Sequence, residues 1–336
     1  MGRPMSRLIP RLFAPTLAIA FQLAPAPRIH AQANAGAFAT GEHESIINGV
    51  RLWYDVAGTS TPNTPPVIFL HGGPGYNSYS FARIAGPSLE KSLRMVYLDQ
   101  RGSGRSERPW TRDYKMQTLV ADVDALRRSL GVRQVALIGH SFGGVLALEY
   151  AAAHPENVSK LVLVDILFDA PLQCRYRRES LATLRPEAYA RVAKDTVDSA
   201  GVHRSDCELE FRALRGADRE AFSNEMMFPD SVRRLTQDSI DKASGLRNTG
   251  ELSNALFNAG LLNYRFTAWD RLTNIPALVI AGGKDRAVGG PPARELARRL
   301  AKGRYVELPR GGHFPYLEEP DAFAREVSAF LLRRNQ

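Results

Sequence analysis

The sequence is poor in cysteine, in long apolar runs and in metal-binding clusters. Two cysteines among 336 residues are too few for a disulfide scaffold or a zinc site built from cysteine. Past the N-terminal segment no apolar run reaches the roughly 20 residues of a bilayer-spanning helix, which argues against stable membrane insertion. There is no H-E-x-x-H and no Cys/His cluster at ligand spacing, so the sequence points to no metal and no cofactor. Excess of any one kind is missing too. A hydrophobic share of 44% and a charged share of 24% lie near the averages of globular domains, against a disordered, collagen-like or coiled-coil chain. The length leaves one large α/β domain with an insertion, or two smaller domains.

Charge is the departure. A net +9, from 44 Lys+Arg against 35 Asp+Glu, invites a nucleic-acid partner. The first 33 residues, however, contain Arg3, Arg7, Arg11 and Arg28 and no acid; an apolar stretch covers 12–24, and Ala31-Gln32-Ala33 follows. A basic start, a short apolar centre and an A-x-A site predict a signal peptide over 1–33, cleaved after Ala33. Pro15 and the shortness of the apolar centre disfavour a retained anchor. Cleavage removes four arginines and no acid, so 303 residues remain at +5. That residual charge is scattered rather than gathered into a stripe, which argues against nucleic acid. Export to a periplasmic or extracellular compartment also bears on Cys174 and Cys207. They form either a structural disulfide or two buried thiols.

Short apolar runs alternate with helical patterns along the rest. Segments 67–70, 95–98, 135–138, 161–164 and 277–280 read as strands buried on both faces, and 305–308 is strand-like. Leu119, Val120, Val123, Leu126 and Leu130 recur at helical spacing, and 143–153 is a small-residue helix suited to packing on a sheet. This order predicts an α/β fold with a parallel sheet and right-handed crossovers. The alternation at 50–56 predicts an antiparallel edge strand. From about 166 to 269 the rhythm stops, with charged, helix-period segments at 179–192 and 206–214. The expected organisation is a core in two parts, 34–165 and 270–336, interrupted by a helical cap at 166–269 and closed by a helix at 321–332.

Gly139-His140-Ser141-Phe142-Gly143 fits G-x-S-x-G. The pattern alone is common, but here it follows a strand and opens a helix, the setting of a nucleophile elbow rather than a plain helix-capping turn. Such a turn projects Ser141 at the carboxyl edge of the sheet, and its glycines let neighbouring backbone pass. A serine nucleophile needs a base, and the base needs an orienting carboxylate, in the chain order Ser, acid, His. Asp285 follows the strand at 277–280, and His313 follows 305–308. Of seven histidines only His313 has that place and order. His140 adjoins the nucleophile, where the elbow should point it elsewhere; His71 belongs to a glycine turn; His154 reads as a helix C-terminal cation. The rival acid, Asp165, reads as a structural carboxylate near the start of the cap. In His71-Gly72-Gly73-Pro74-Gly75, the Gly73 N–H is expected to form an oxyanion hole with that of Phe142. His71, Gly72, Pro74, Gly139 and Gly143 would shape the wall around them. Asp99-Gln100-Arg101-Gly102-Ser103-Gly104-Arg105-Ser106 reads as a hydrogen-bonded structural loop.

Taken jointly, these motifs resemble the α/β-hydrolase superfamily and, within it, the proline iminopeptidase-like group of peptidase family S33, over about residues 45–333. The resemblance implies a mostly parallel eight-stranded sheet flanked by helices, with an inserted helical cap. It implies the same roles for Ser141, Asp285 and His313, and a small-molecule or short-peptide substrate from which a small N-terminal residue is released. In that group cap carboxylates hold the substrate's amino group. Glu208, Glu210, Glu220 and Glu225, among the cap acids, are the candidates here, each otherwise read as part of a solvated helix face. His140 and Phe142 stand where those peptidases usually carry Gly and Trp, as in many esterases, so a carboxylic ester or lactone is the alternative substrate. A non-catalytic relative that binds a ligand under its cap is the reading from another class, and it has no need of all three groups in order.

Overall fold

The computed structural model describes residues 38–59, 64–194 and 205–333, besides Gly2 and Val197; the expected signal peptide, Gly2 apart, lies outside them. Eight strands form one sheet: β1 (Gly41–Ile47), β2 (Val50–Gly58), β3 (Val67–Leu70), β4 (Arg94–Leu98), β5 (Val135–His140), β6 (Val158–Val164), β7 (Ala277–Gly282) and β8 (Gly303–Leu308). Their spatial order is β1-β2-β4-β3-β5-β6-β7-β8. β1 and β2 are antiparallel, and every pairing from β4 to β8 is parallel. β3, β5 and β7 are buried at every position, which is why they read as unbroken apolar runs.

One expectation needs correction. β2 is antiparallel as its alternation suggests, but it is not the edge, because β1 pairs along its outer side. β1 reads GEHESII with alternate residues exposed. An edge strand that faces water on one side has no need of an apolar run, so it escapes a search for one.

Helices cover both faces of the sheet. Met116–Ser129, Phe142–Ala153 and Gly290–Arg299 pack Leu126, Leu146 and Leu296 against Leu137, Leu161 and Val279. On the other face Tyr79–Ile84 and Pro320–Leu332 bring Phe81, Phe323 and Val327 against Phe69, Ile138 and Val162.

Between β6 and β7 the described residues form six α-helices of an insertion: Ala170–Leu184, Pro186–Val192, Asp206–Ala213, Gly216–Met227, Ser231–Ser244 and Glu251–Asn258. The helix expected over 179–192 is two helices, broken at Arg185. Proline disfavours a helical residue before it and donates no backbone hydrogen bond, so Pro186 starts a new helix instead of continuing one. The insertion has its own apolar cluster around Leu181, Leu209, Phe222 and Met226. Cys174 and Cys207 are disulfide-bonded, with Cα atoms 4.8 Å apart, and so tie its first and third helices. None of the described helices is long and apolar enough to cross a membrane.

Candidate active site

Ser141 sits between β5 and the helix Phe142–Ala153 with φ of 52°, a left-handed conformation rare for a residue with a side chain. The β5–β6 ladder holds it there, since its N–H donates to the Val164 carbonyl at 2.9 Å. A Cβ on Gly139 would lie 2.6 Å from the Gly143 carbonyl, and one on Gly143 would collide with the Leu70 carbonyl. The two glycines are therefore demanded by close backbone approach. Phe142 opens the helix, so its N–H has no intrahelical acceptor. Gly72 abuts the serine: a Cβ there would stand 2.8 Å from the Ser141 Cβ. Gly73 beside it is exposed at φ of 116°.

The glycine-rich loop is fixed from beneath. His71 Nδ1–H donates to the Gly72 carbonyl at 3.0 Å, while Nε2 accepts from the Gln100 N–H at 3.1 Å. The Gln100 amide donates to the His71 carbonyl at 2.8 Å. Burial lowers the His71 pKa and suits this neutral tautomer. Asp99 accepts from the Ser78 N–H at 2.8 Å and from Arg105 Nε at 2.7 Å, and the Arg105 guanidinium lies over the Trp53 ring. The segment 99–106 is thus a hydrogen-bonded support, as expected.

Asp285 and His313 come from the loops after β7 and β8. His313 Nδ1 donates to Asp285 Oδ2 at 2.9 Å, and Asp285 Oδ1 accepts the N–H groups of Ala287 at 2.7 Å and Val288 at 3.3 Å. Burial works against ionisation of Asp285. His313 and the two backbone donors outweigh it and hold the carboxyl below its usual range. Both loops are also bonded to the insertion. The helix Gly216–Met227 ends with carbonyls lacking intrahelical donors. Met226 accepts there from the Arg286 N–H at 2.9 Å, and Met227 from the His313 N–H at 2.7 Å.

His140 does not point elsewhere. The β5 pleat turns it beneath His313, whose carbonyl accepts from its Nε2–H at 2.7 Å, with the two rings 4.9 Å apart. Burial first, and the neighbouring His313 second, push its pKa down to about 3, so it is a neutral donor supporting the His313 backbone. His154 occupies the C-cap position of the helix Phe142–Ala153.

A cavity of about 530 Å³ opens over these groups, lined by Ser141, His313, Phe142, Gly72, Gly73 and Pro74 on the sheet side. His71, Gly139, Gly143 and Asp285 lie behind this wall rather than in it. The insertion supplies the roof. Of the four acids expected there, Glu210 alone reaches the cavity, held by Arg177 through contacts of 2.5 and 2.7 Å. Glu225 pairs with Arg185 at 2.8 Å, and Glu208 and Glu220 are exposed. The Cys174–Cys207 disulfide lines the cavity three residues before Arg177 and Glu210 on the same two helices.

A second polar group went unnoticed in the sequence. Gln237 donates to the Tyr76 hydroxyl at 2.7 Å and to Asp241 Oδ1 at 3.0 Å, and the Tyr76 hydroxyl donates to Asp241. Gln237 Oε1 is buried at the cavity with no partner among the described residues. The four-residue spacing of Gln237 and Asp241 puts them on one helix face, but nothing local says that this face covers a cavity.

A family model described as the alpha/beta hydrolase fold matches residues 65–320. The chain is similar to the proline iminopeptidase of Heyndrickxia coagulans, 26% identical over 275 residues, which cover 79% of this chain and 90% of that one. Its fold is similar to that of a proline iminopeptidase-related protein from Thermus thermophilus, with a TM-score of 0.70 at 26% identity over 87% of this chain and 97% of the other. It also superposes on the enol-lactonase from Burkholderia xenovorans, with a TM-score of 0.61 at 22% identity over 87% and 100% of the two chains, a likeness of fold alone.

Proposed function

The chain belongs to the alpha/beta hydrolase family and is a hydrolase; from that premise we propose that it works through an acyl-enzyme built on Ser141, with His313 as base and Asp285 as orienting acid. The Ser141 hydroxyl adds to the substrate carbonyl while His313 takes its proton. The oxyanion so formed is held by the N–H groups of Gly73 and Phe142. Collapse expels the leaving group with the proton from His313, and water then repeats the two steps to release the acyl product. The observation that carries this reading is the 2.9 Å bond from His313 to a buried Asp285, on adjacent loops at the edge where Ser141 emerges.

The substrate class we assign is a short peptide or aminoacyl amide with a free, small N-terminal residue. Similarity to proline iminopeptidases supports it. So do the acceptors at Gln237 Oε1 and Asp241, which match the donors of a free amine. A cavity of this size suits a compact ligand. Hydrolysis of a prolyl-arylamide, an alanyl-arylamide and a short-chain aryl ester tests the assignment, with the N-acetylated amides as controls. Acetylation should abolish amide turnover. An enzyme indifferent to it, and faster on the ester, would turn the assignment to the second reading, a carboxylic ester or lactone. That reading draws on Glu210, whose charge Arg177 already neutralises, so that it does not serve an amine.

Export completes the proposal. The basic leader and a disulfide between Cys174 and Cys207 support it. N-terminal sequencing of the protein expressed in full should find a chain starting at Asn34; an intact Met1 start on exported material would refute the cleavage site.

A further inference from the structure

One buried carboxyl beside the site has no part in the mechanism above. Asp165 follows β6 directly, with φ of 42°, and is 1% exposed. Its N–H donates to the Ile280 carbonyl at 3.0 Å, and its carboxyl accepts the Gly282 N–H at 3.1 Å, so it is anchored to β7 on both counts. A glycine would take this backbone conformation without strain. A side chain kept there in a left-handed conformation invites a functional reading. Gly282 ties that side chain to the Asp285 loop, since its N–H reaches the Asp165 carboxyl while its carbonyl accepts the Asp285 N–H at 3.1 Å, and the two buried carboxyls are electrostatic neighbours.

Two neighbouring carboxyls out of water cannot both be ionised. Donor count decides which one carries the proton. Among the described residues Asp285 is met by His313 and two backbone N–H groups, whereas Asp165 is met by Gly282 alone. We propose that Asp165 is a positioning residue for the triad acid: it keeps a proton, donates it in a hydrogen bond to Asp285, and so fixes that carboxylate behind His313. Burial first and the Asp285 charge second raise the Asp165 pKa well above the carboxylate range, in keeping with the donor count. The other titratable groups around the pair are Tyr305 toward Asp165, Tyr176, Arg177 and His140 toward Asp285, and Glu318 toward both.

The inference rests on the triad assigned above, and its test separates the two. The readout is the rate of fluorophosphonate labelling of the full chain as a function of pH, which requires an activated serine but no knowledge of the substrate. A wild-type protein that does not label, or Ser141→Ala that does, would overturn the triad itself. Given labelling, Asp165→Ala should slow it by about 10- to 100-fold through a misplaced acid. It should also move the acid limb to higher pH, because the Asp285 charge then bears on His313 without a competing donor.

Asp165→Asn keeps both hydrogen-bond roles, accepting from Gly282 and donating to Asp285, and tolerates the left-handed backbone. It should restore the rate and the pH profile. The same substitution in the neighbour, Asp285→Asn, should be as damaging as loss of the acid, on the order of 10⁴-fold. This asymmetry between two Asp→Asn changes is the signature of the proposal. It is overturned if Asp165→Ala labels with the wild-type rate and profile. It is equally overturned if Asp165→Asn is as slow as Asp285→Asn, since position 165 would then need a charge. Should Asp165→Ala fail to fold, the Asn pair alone decides.

Discussion

Every residue of β3, β5 and β7 is buried, and the sheet they form lies between two continuous apolar layers. The insertion between β6 and β7 holds together differently. Its apolar cluster is small, and it adds a disulfide and ion pairs such as Arg177–Glu210, Arg178–Asp206 and Arg185–Glu225. The difference tracks the division of labour proposed above. The sheet edge holds reacting groups whose geometry must not move, and it is rigid because packed cores have few alternatives. The insertion supplies the roof of the cavity, where side chains decide what fits. It is pinned at a few points, among them the Met226 and Met227 carbonyls that meet the loops of Asp285 and His313.

The strongest test of this contrast removes chemistry without touching support. Ser141→Ala should lower turnover by on the order of 10⁵-fold or more, with the thermal unfolding curve unchanged. Wild-type turnover in that variant would break the assignment of chemistry to the sheet edge. Next comes the disulfide, which closes a 33-residue separation. Replacing Cys174 and Cys207 by Ser together should cost about 3.5–4 kcal/mol in denaturant unfolding. Limited proteolysis should then cut first within 166–269; hydrogen exchange quickening equally in β3 and β5 would erase the distinction between the regions.

The junction is the third target. A Cβ at Gly312 would collide with the Met227 carbonyl, so Gly312→Ala should cost about 1–3 kcal/mol. It should also slow fluorophosphonate labelling by displacing the His313 loop; an unchanged melting temperature and labelling rate would show the contact to be dispensable. The smallest effect is expected from a single ion pair on the insertion surface. Glu225→Gln unpairs Arg185, and its cost in a denaturant melt should stay below about 1 kcal/mol because both side chains are partly exposed. A larger loss would mean that charge pairing, rather than the disulfide and the small apolar cluster, holds the insertion.

The legible parts of the chain are those where burial leaves a pattern. Strands covered on both faces must be apolar throughout, so β3 to β7 stand out, and the loops at their carboxyl ends offer Ser141, Asp285 and His313 in order. β1 escapes notice because a half-exposed strand is half polar. The insertion is legible as helical but not in detail. Each of its helices buries one stripe, and sequence period alone does not say whether that stripe meets protein or an open cavity. Glu210 therefore looks no different from Glu208 or Glu220, and Gln237 and Asp241 draw no notice.

By itself the sequence determined the fold class, the turn between strand and helix at Ser141 and the chain order of Ser141, Asp285 and His313 on which the proposed triad rests, because local turn chemistry and burial on both faces act along the chain. Tertiary structure alone decided that His313 bonds Asp285 while Asp165 lies behind it, that His140 turns under His313, and that Glu210 and Gln237 face the cavity. The reason is distance. Which of two carboxyls meets an imidazole depends on how β6, β7 and β8 stack side by side, and hydrogen bonds across more than a hundred residues, such as that from Gly282 to Asp165, leave no periodic trace in the sequence.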